Sequence, residues 1–108
     1  MPRIKLTADA KADLINIRRY GTQRWGSKQS QKYIKSLRKT IDLLAKTPSI
    51  GRRFDIGDFN ADGLDAWHFS RLRHEVCYSQ SSNEIIVFAV LHQSQIPLKH
   101  LSGRSLEA

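Results

Sequence analysis

A chain of 108 residues has room for one hydrophobic core and not for two ordinary domains, so residues 1–108 are expected to form a single domain. A composition of 40% hydrophobic and 26% charged residues excludes a disordered chain, and no apolar run approaches the roughly 20 residues of a membrane-spanning helix. The lone cysteine, Cys77, excludes an internal disulfide and a multi-cysteine zinc site, while the net charge of +8 narrows the partners to nucleic acid, an anionic membrane surface or an acidic protein.

The charge is unevenly placed. Residues 1–54 hold fourteen Lys/Arg against three Asp, a net of +11, and residues 55–108 hold four Lys/Arg against seven acids, a net of −3. The start of the chain lacks the apolar stretch of about 7–15 residues that marks a signal peptide, and the cytoplasm is the expected compartment.

In chain order, Arg3 to Leu6 alternates as a short strand does, and Thr7 then offers a helix N-cap with Asp9 and Asp13 placed early, where carboxylates favour the helix dipole. Ala10, Leu14, Ile17 and Gly21 recur at helical steps and predict one modest buried stripe, which breaks near Gly21 and Gly26. Ser27 can cap a second helix reaching about Lys46, with Ser30, Ile34, Leu37, Ile41 and Leu44 as its inward seam. Two residues off that seam, about 200° round the helix, run Lys28, Lys32, Lys35, Lys39, Asp42 and Lys46. The short Gly-containing connection predicts an antiparallel helical hairpin. Thr47 to Gly51 stops the second helix, and the stretch up to Gly63 has the Asp, Gly and Asn content of a loop. Strands are predicted near Leu64–Ser70, Arg73–Gln80 and Glu84–Leu91, the last two joined by a Ser-Ser-Asn turn, with one helical turn over Pro97 to Leu101.

Two sets of residues compete for function. The first is cationic. Like charges at i,i+4 along the second helix repel by a few tenths of a kcal/mol per pair, which is either the ordinary cost of a solvated lysine face or the signature of a docking face for an acidic partner. Arg18, Arg19, Tyr20, Arg24 and Trp25 mix cations with aromatics near the helix connection, as phosphate-binding and protein-binding surfaces do; Trp25 can equally plug the hairpin. No motif for reading nucleic-acid sequence is present, so sequence-specific binding is not expected. The second set is small. His92 closes an apolar strand and, by period two, shares a face with Ile86, Phe88 and Val90, while Arg71 and Arg73 can project beside it. With Glu75 they supply on paper the base, acid and cation that an RNA-cleaving site using the 2′-hydroxyl needs. His68, His74, His92 and His100 match no zinc spacing, and no metal or cofactor is expected.

Val90-Leu91-His92, a spacer, and His100-Leu101 resemble the closing motif of ParE toxins within the ParE/RelE superfamily. His74 to Tyr78 resembles the preceding ParE strand; Thr7 to Leu14, Tyr20 and Trp25-Gly26 resemble the family's first helix and its loop. The resemblance runs from residue 3 to about 101. Gln95 and Ile96 depart from the Met-Asp that ParE proteins often carry there, and Gln93, Ser94 and Gln95 depart further from the basic and aromatic residues of RelE-type ribonucleases. It implies an α+β fold, βααβββ, with the helical hairpin packed on a small, mostly antiparallel curved sheet. It also implies a gyrase-inhibiting toxin without chemistry of its own, neutralised by a ParD-like antitoxin in a hetero-oligomer. On that reading Arg18, Arg19, Arg24, Trp25, Lys28, Lys32, Lys35 and Lys39 are the expected partner contacts. The alternative is a ribosome-dependent mRNA endonuclease built on His92, Arg71, Arg73 and Glu75.

Overall fold

In the computed structural model, residues 3–53, 66–80 and 84–92 are described. The acidic loop, residues 64 and 65 of the first predicted strand, the Ser-Ser-Asn turn, the residues after His92 and the expected turn at 97–101 lie outside them.

The chain opens with strand β1 (Arg3–Leu6), followed by helices α1 (Ala8–Trp25) and α2 (Ser27–Lys46). Thr7 begins α1 as expected: its hydroxyl accepts the Ala10 N–H at 3.1 Å, filling one of the four donors a helix start leaves open, with Asp9 in the first turn. A single residue, Gly26, separates the helices. Its φ of 88° lies where a side chain is strained, and that conformation lets the chain reverse without a longer loop. The helices approach closely at Gly21, where a Cβ would meet Ser30 Oγ at 2.8 Å. The Ser30 hydroxyl instead donates to the Arg18 carbonyl across the hairpin at 2.8 Å.

The predicted seams face inward. Ala10, Leu14 and Gly21 of α1 are buried, as are Ser30, Ile34, Leu37, Ile41 and Leu44 of α2, with Thr40 and Ala45 widening the second stripe. They pack on Val76, Tyr78, Ile85, Val87 and Val90 of the sheet. Its strands are β2 (Arg52–Arg53), β3 (Ala66–Arg71), β4 (His74–Gln80) and β5 (Glu84–His92), in the order β1-β5-β4-β3-β2. β1 runs parallel to β5 and every other pairing is antiparallel. The α+β class and the order of helices and main strands match the expectation. A fifth strand was not expected: two exposed arginines carry no alternation from which a strand is read.

The assigned face of β5 is corrected. Cys77 pairs with Ala89 but Tyr78 pairs with Val87, so Phe88 is an extra residue bulged out of the ladder. One inserted residue reverses the alternation. Phe88 therefore joins Ala66, Cys77, Ala89 and Leu91 in a second buried cluster on the far face, whereas Val90 stays with the helix-facing core. His92 follows Val90 and not Phe88.

Candidate functional site

The first candidate is the outward surface of the hairpin. Arg18, Arg19, Arg24, Lys28, Lys32, Lys35 and Lys39 are all exposed, and among the described residues no carboxylate pairs with them. Between the helices lies an open groove of about 610 Å³. Leu6, Leu14, Ile15 and Ile34 give it apolar walls, while Lys11, Arg18, Lys35 and Arg38 place cations around them, with Gln31. Ile15 is 53% exposed, so this apolar surface is open to a partner. Its geometry follows from sequence spacing: Lys11, Leu14, Ile15 and Arg18 are one face of α1 at helical steps, and Gln31, Ile34, Lys35 and Arg38 are the facing stripe of α2.

At the hairpin tip, Trp25 is 45% exposed and Tyr20 58%. The burial that a hairpin plug requires is not met. The two rings meet edge to face at 6.0 Å, and the Arg24 guanidinium lies 6.0 Å from the centre of the Tyr20 ring, a cation–π distance.

The second candidate is the end of the sheet where β4 and β5 stop. His74 and His92 are cross-strand partners with rings 5.4 Å apart. Tyr33 of α2 reaches this pair, its hydroxyl 2.5 Å from His74 Nδ1, and the Arg73 N–H donates to that hydroxyl at 3.4 Å. Arg71 donates to the Ser36 hydroxyl at 3.3 Å, so the β3–β4 turn is held against α2. Leu72 of that turn has φ 57° and is half exposed, a left-handed conformation costing a non-glycine residue about 1 kcal/mol. Burial lowers the His74 pKa to about 4; repulsion from His92 adds to this, and Asp13 opposes it. Burial raises the Tyr33 hydroxyl, against the Arg73 N–H and charge, which lower it. His74 is therefore a neutral imidazole at physiological pH, held by a neutral phenol.

The structure places His92, Arg71 and Arg73 at this one end of the sheet, whereas Glu75, expected to join them, faces away. Strand alternation turns Glu75 away from His74, and its carboxylate accepts from the Ser70 hydroxyl and pairs with His68 Nδ1 at 3.2 Å. An acid occupied in this way is absent from the proposed trio. Tyr33 and Asp13 were missed as site residues. The first flanks the α2 seam one residue before Ile34, where its only sequence signal is an aromatic beside an apolar stripe. The second read as a helix-dipole residue, yet its Oδ2 accepts the Val90 N–H of β5 at 2.9 Å, beyond the point where β1 stops pairing. Among the described residues no three His, Cys, Asp or Glu converge as metal ligands, and no helix is long and apolar enough to cross a membrane.

Residues 4–97 match the family model of the ParE toxin of type II toxin–antitoxin systems, parDE. Toxin ParE of Escherichia coli is 31% identical over 101 residues, 92% of each chain. Toxin ParE1 of Caulobacter vibrioides is 40% identical over 52 residues, which is 48% of this chain and only about half, 54%, of that relative. A chain from a chromosomal ParDE toxin–antitoxin system of P. aeruginosa superposes with a TM-score of 0.67 at 17% identity, covering 85% of this chain and 96% of that one, a likeness of fold. With the family model spanning both helices and the strands that carry His74 and His92, the chain belongs to the ParE family of toxins of type II toxin–antitoxin systems.

Proposed function

We propose that this toxin works by binding, not by chemistry: it inhibits DNA gyrase and is neutralised by a ParD-like antitoxin. The observation that carries the reading is the contrast between the two candidate surfaces. The hairpin presents an open apolar groove ringed by Lys11, Arg18, Lys35 and Arg38, the form that an amphipathic segment with acidic flanks fits and that would relieve the lysine repulsion along α2. The sheet end presents a half-buried neutral His74 and a Glu75 engaged elsewhere. Gyrase as the target is supported by family membership. In a supercoiling assay with purified gyrase, addition of the toxin is expected to accumulate cleaved DNA; normal supercoiling at a large excess of toxin counts against the target.

One observation favours a second reading. Tyr33 meets His74, His74 lies against its cross-strand partner His92, and the Arg73 N–H reaches the Tyr33 hydroxyl, a grouping of imidazoles and phenol that proton transfer at an RNA 2′-hydroxyl can use. On that reading His92→Ala abolishes toxicity and transcripts are cut in translating extracts. Intact transcripts during growth arrest remove it.

A further inference from the structure

The distribution of carboxylates along the hairpin is as informative as that of the cations. From residue 14 to residue 41 there are eight Lys/Arg and no Asp or Glu, while Asp13 and Asp42 bound this span on the two helices at the end away from the connection. The outer part of the hairpin thus carries exposed cations with no acid among them, broken by the apolar walls of the groove, and the acids that would ordinarily intersperse them are confined to its base. Lys28, Lys32, Lys35 and Lys39 follow one another at steps of four, three and four, a row of about 16 Å at 1.5 Å per residue. A nucleic-acid strand offers a phosphate about every 3.4 Å of helix axis, so the row spans several.

The tip differs from the groove in kind. The groove has aliphatic walls that suit a protein helix; the tip has none and instead exposes Tyr20 and Trp25 beside Arg24. The rings are set edge to face and Arg24 rests at the Tyr20 ring, so cation and aromatic surface are offered together and already ordered. Aromatic surface for base stacking with cations for phosphate is the pairing that unpaired nucleic acid recognises, independent of sequence.

We propose that the hairpin tip and the lysine row bind single-stranded or locally unpaired nucleic acid directly, Tyr20 and Trp25 stacking on bases while Arg24, Lys28 and Lys32 hold the backbone. Lys35 also edges the groove, whereas Tyr20, Arg24, Trp25, Lys28 and Lys32 do not line it, so the tip can contact a nucleic acid while the groove holds a protein. The proposal is independent of the gyrase reading, because its test contains no gyrase: normal supercoiling leaves it standing, and failure to bind DNA leaves gyrase binding by protein contacts intact.

The experiment measures anisotropy of a labelled single-stranded oligothymidylate, and of a duplex of equal length, against the purified chain over a salt series. Binding is expected to favour the single strand and to weaken steeply with salt. Tyr20→Ala is expected to weaken it about tenfold at fixed salt, as loss of one stacking partner does. Lys28→Gln with Lys32→Gln is expected to lower the slope of log K against log salt by about 1.4, two phosphate contacts on a single strand. In a Trp67→Phe background, the emission of Trp25 is expected to be quenched on binding. Circular dichroism of each variant checks that the hairpin is intact, and Arg3→Gln, a cation far along the chain on β1, is expected to bind as the parent does. No binding at low salt, binding unchanged by Tyr20→Ala, unquenched Trp25, or a preference for polyglutamate over DNA each overturns the proposal, the last by assigning the tip to an acidic protein.

Discussion

His74 and Asp13 show how single side chains join helices to sheet. Burial holds His74 at about 4, whereas the same imidazole in the unfolded chain takes a proton near pH 6.5. The unfolded state therefore binds more protons between these values, and the stability that neutral His74 contributes is complete above about pH 6.5 and is lost as pH falls toward about 4. The ring is partly exposed, so the contribution is about 1–2 kcal/mol, less than the full shift implies. Urea midpoints of the parent are expected to fall more between about pH 7 and pH 4.5 than those of His74→Gln; equal falls would dismiss the link. Asp13→Ala leaves the Val90 N–H without its acceptor, at an expected cost of about 1–3 kcal/mol, and hydrogen exchange at the Val90 amide should quicken selectively. Neither role was visible in the sequence. Asp13 had a sufficient local explanation as an early helix carboxylate, and a contact made 77 positions away leaves no trace in spacing. Glu75 was a different case: period two already puts neighbours 74 and 75 on opposite faces, so once His74 faces the helices Glu75 cannot join it.

The legibility of each element followed the strength of its period. In α2 the four-three spacing of Ser30 to Leu44 marked both the helix and its buried side, and in α1 Thr7 marked the start, while the end, read near Gly21 and Gly26, falls at Gly26 with Gly21 inside the helix. β5 was found but wrongly phased. Ile85 to Leu91 is apolar at every position, so its hydrophobicity carries no alternation from which a bulge at Phe88 could be detected. In the lysine row of α2, Lys32 has Lys28 four residues before it and Lys35 three after, and Lys32→Glu converts two repulsions into two attractions, an expected gain of about 1 kcal/mol in unfolding free energy. The same change is expected to weaken toxicity. A variant both more stable and less toxic would mark the row as kept for binding; loss of stability would show that the row packs against something in the folded chain.

Across the whole molecule, charge and chemistry are divided between layers. The helical hairpin carries most of the described cations, and the sheet end carries His74 and His92 under Tyr33 with Arg71 and Arg73 in and beside the adjoining turn, the α2 seam lying between. This division was legible from the two halves of the sequence, +11 and −3, before any fold was assigned. The gyrase target was not, because a positive surface encodes the sign of its partner and not its identity. The central claim, that this family member acts through its hairpin surface and not through catalysis, is tested most directly by one gyrase cleavage assay on three proteins: the parent, His92→Ala, and Arg24→Glu with Lys28→Glu. The account predicts cleaved DNA with the parent and with His92→Ala, and little with the hairpin variant. Cleavage lost in His92→Ala and retained in the hairpin variant would contradict it.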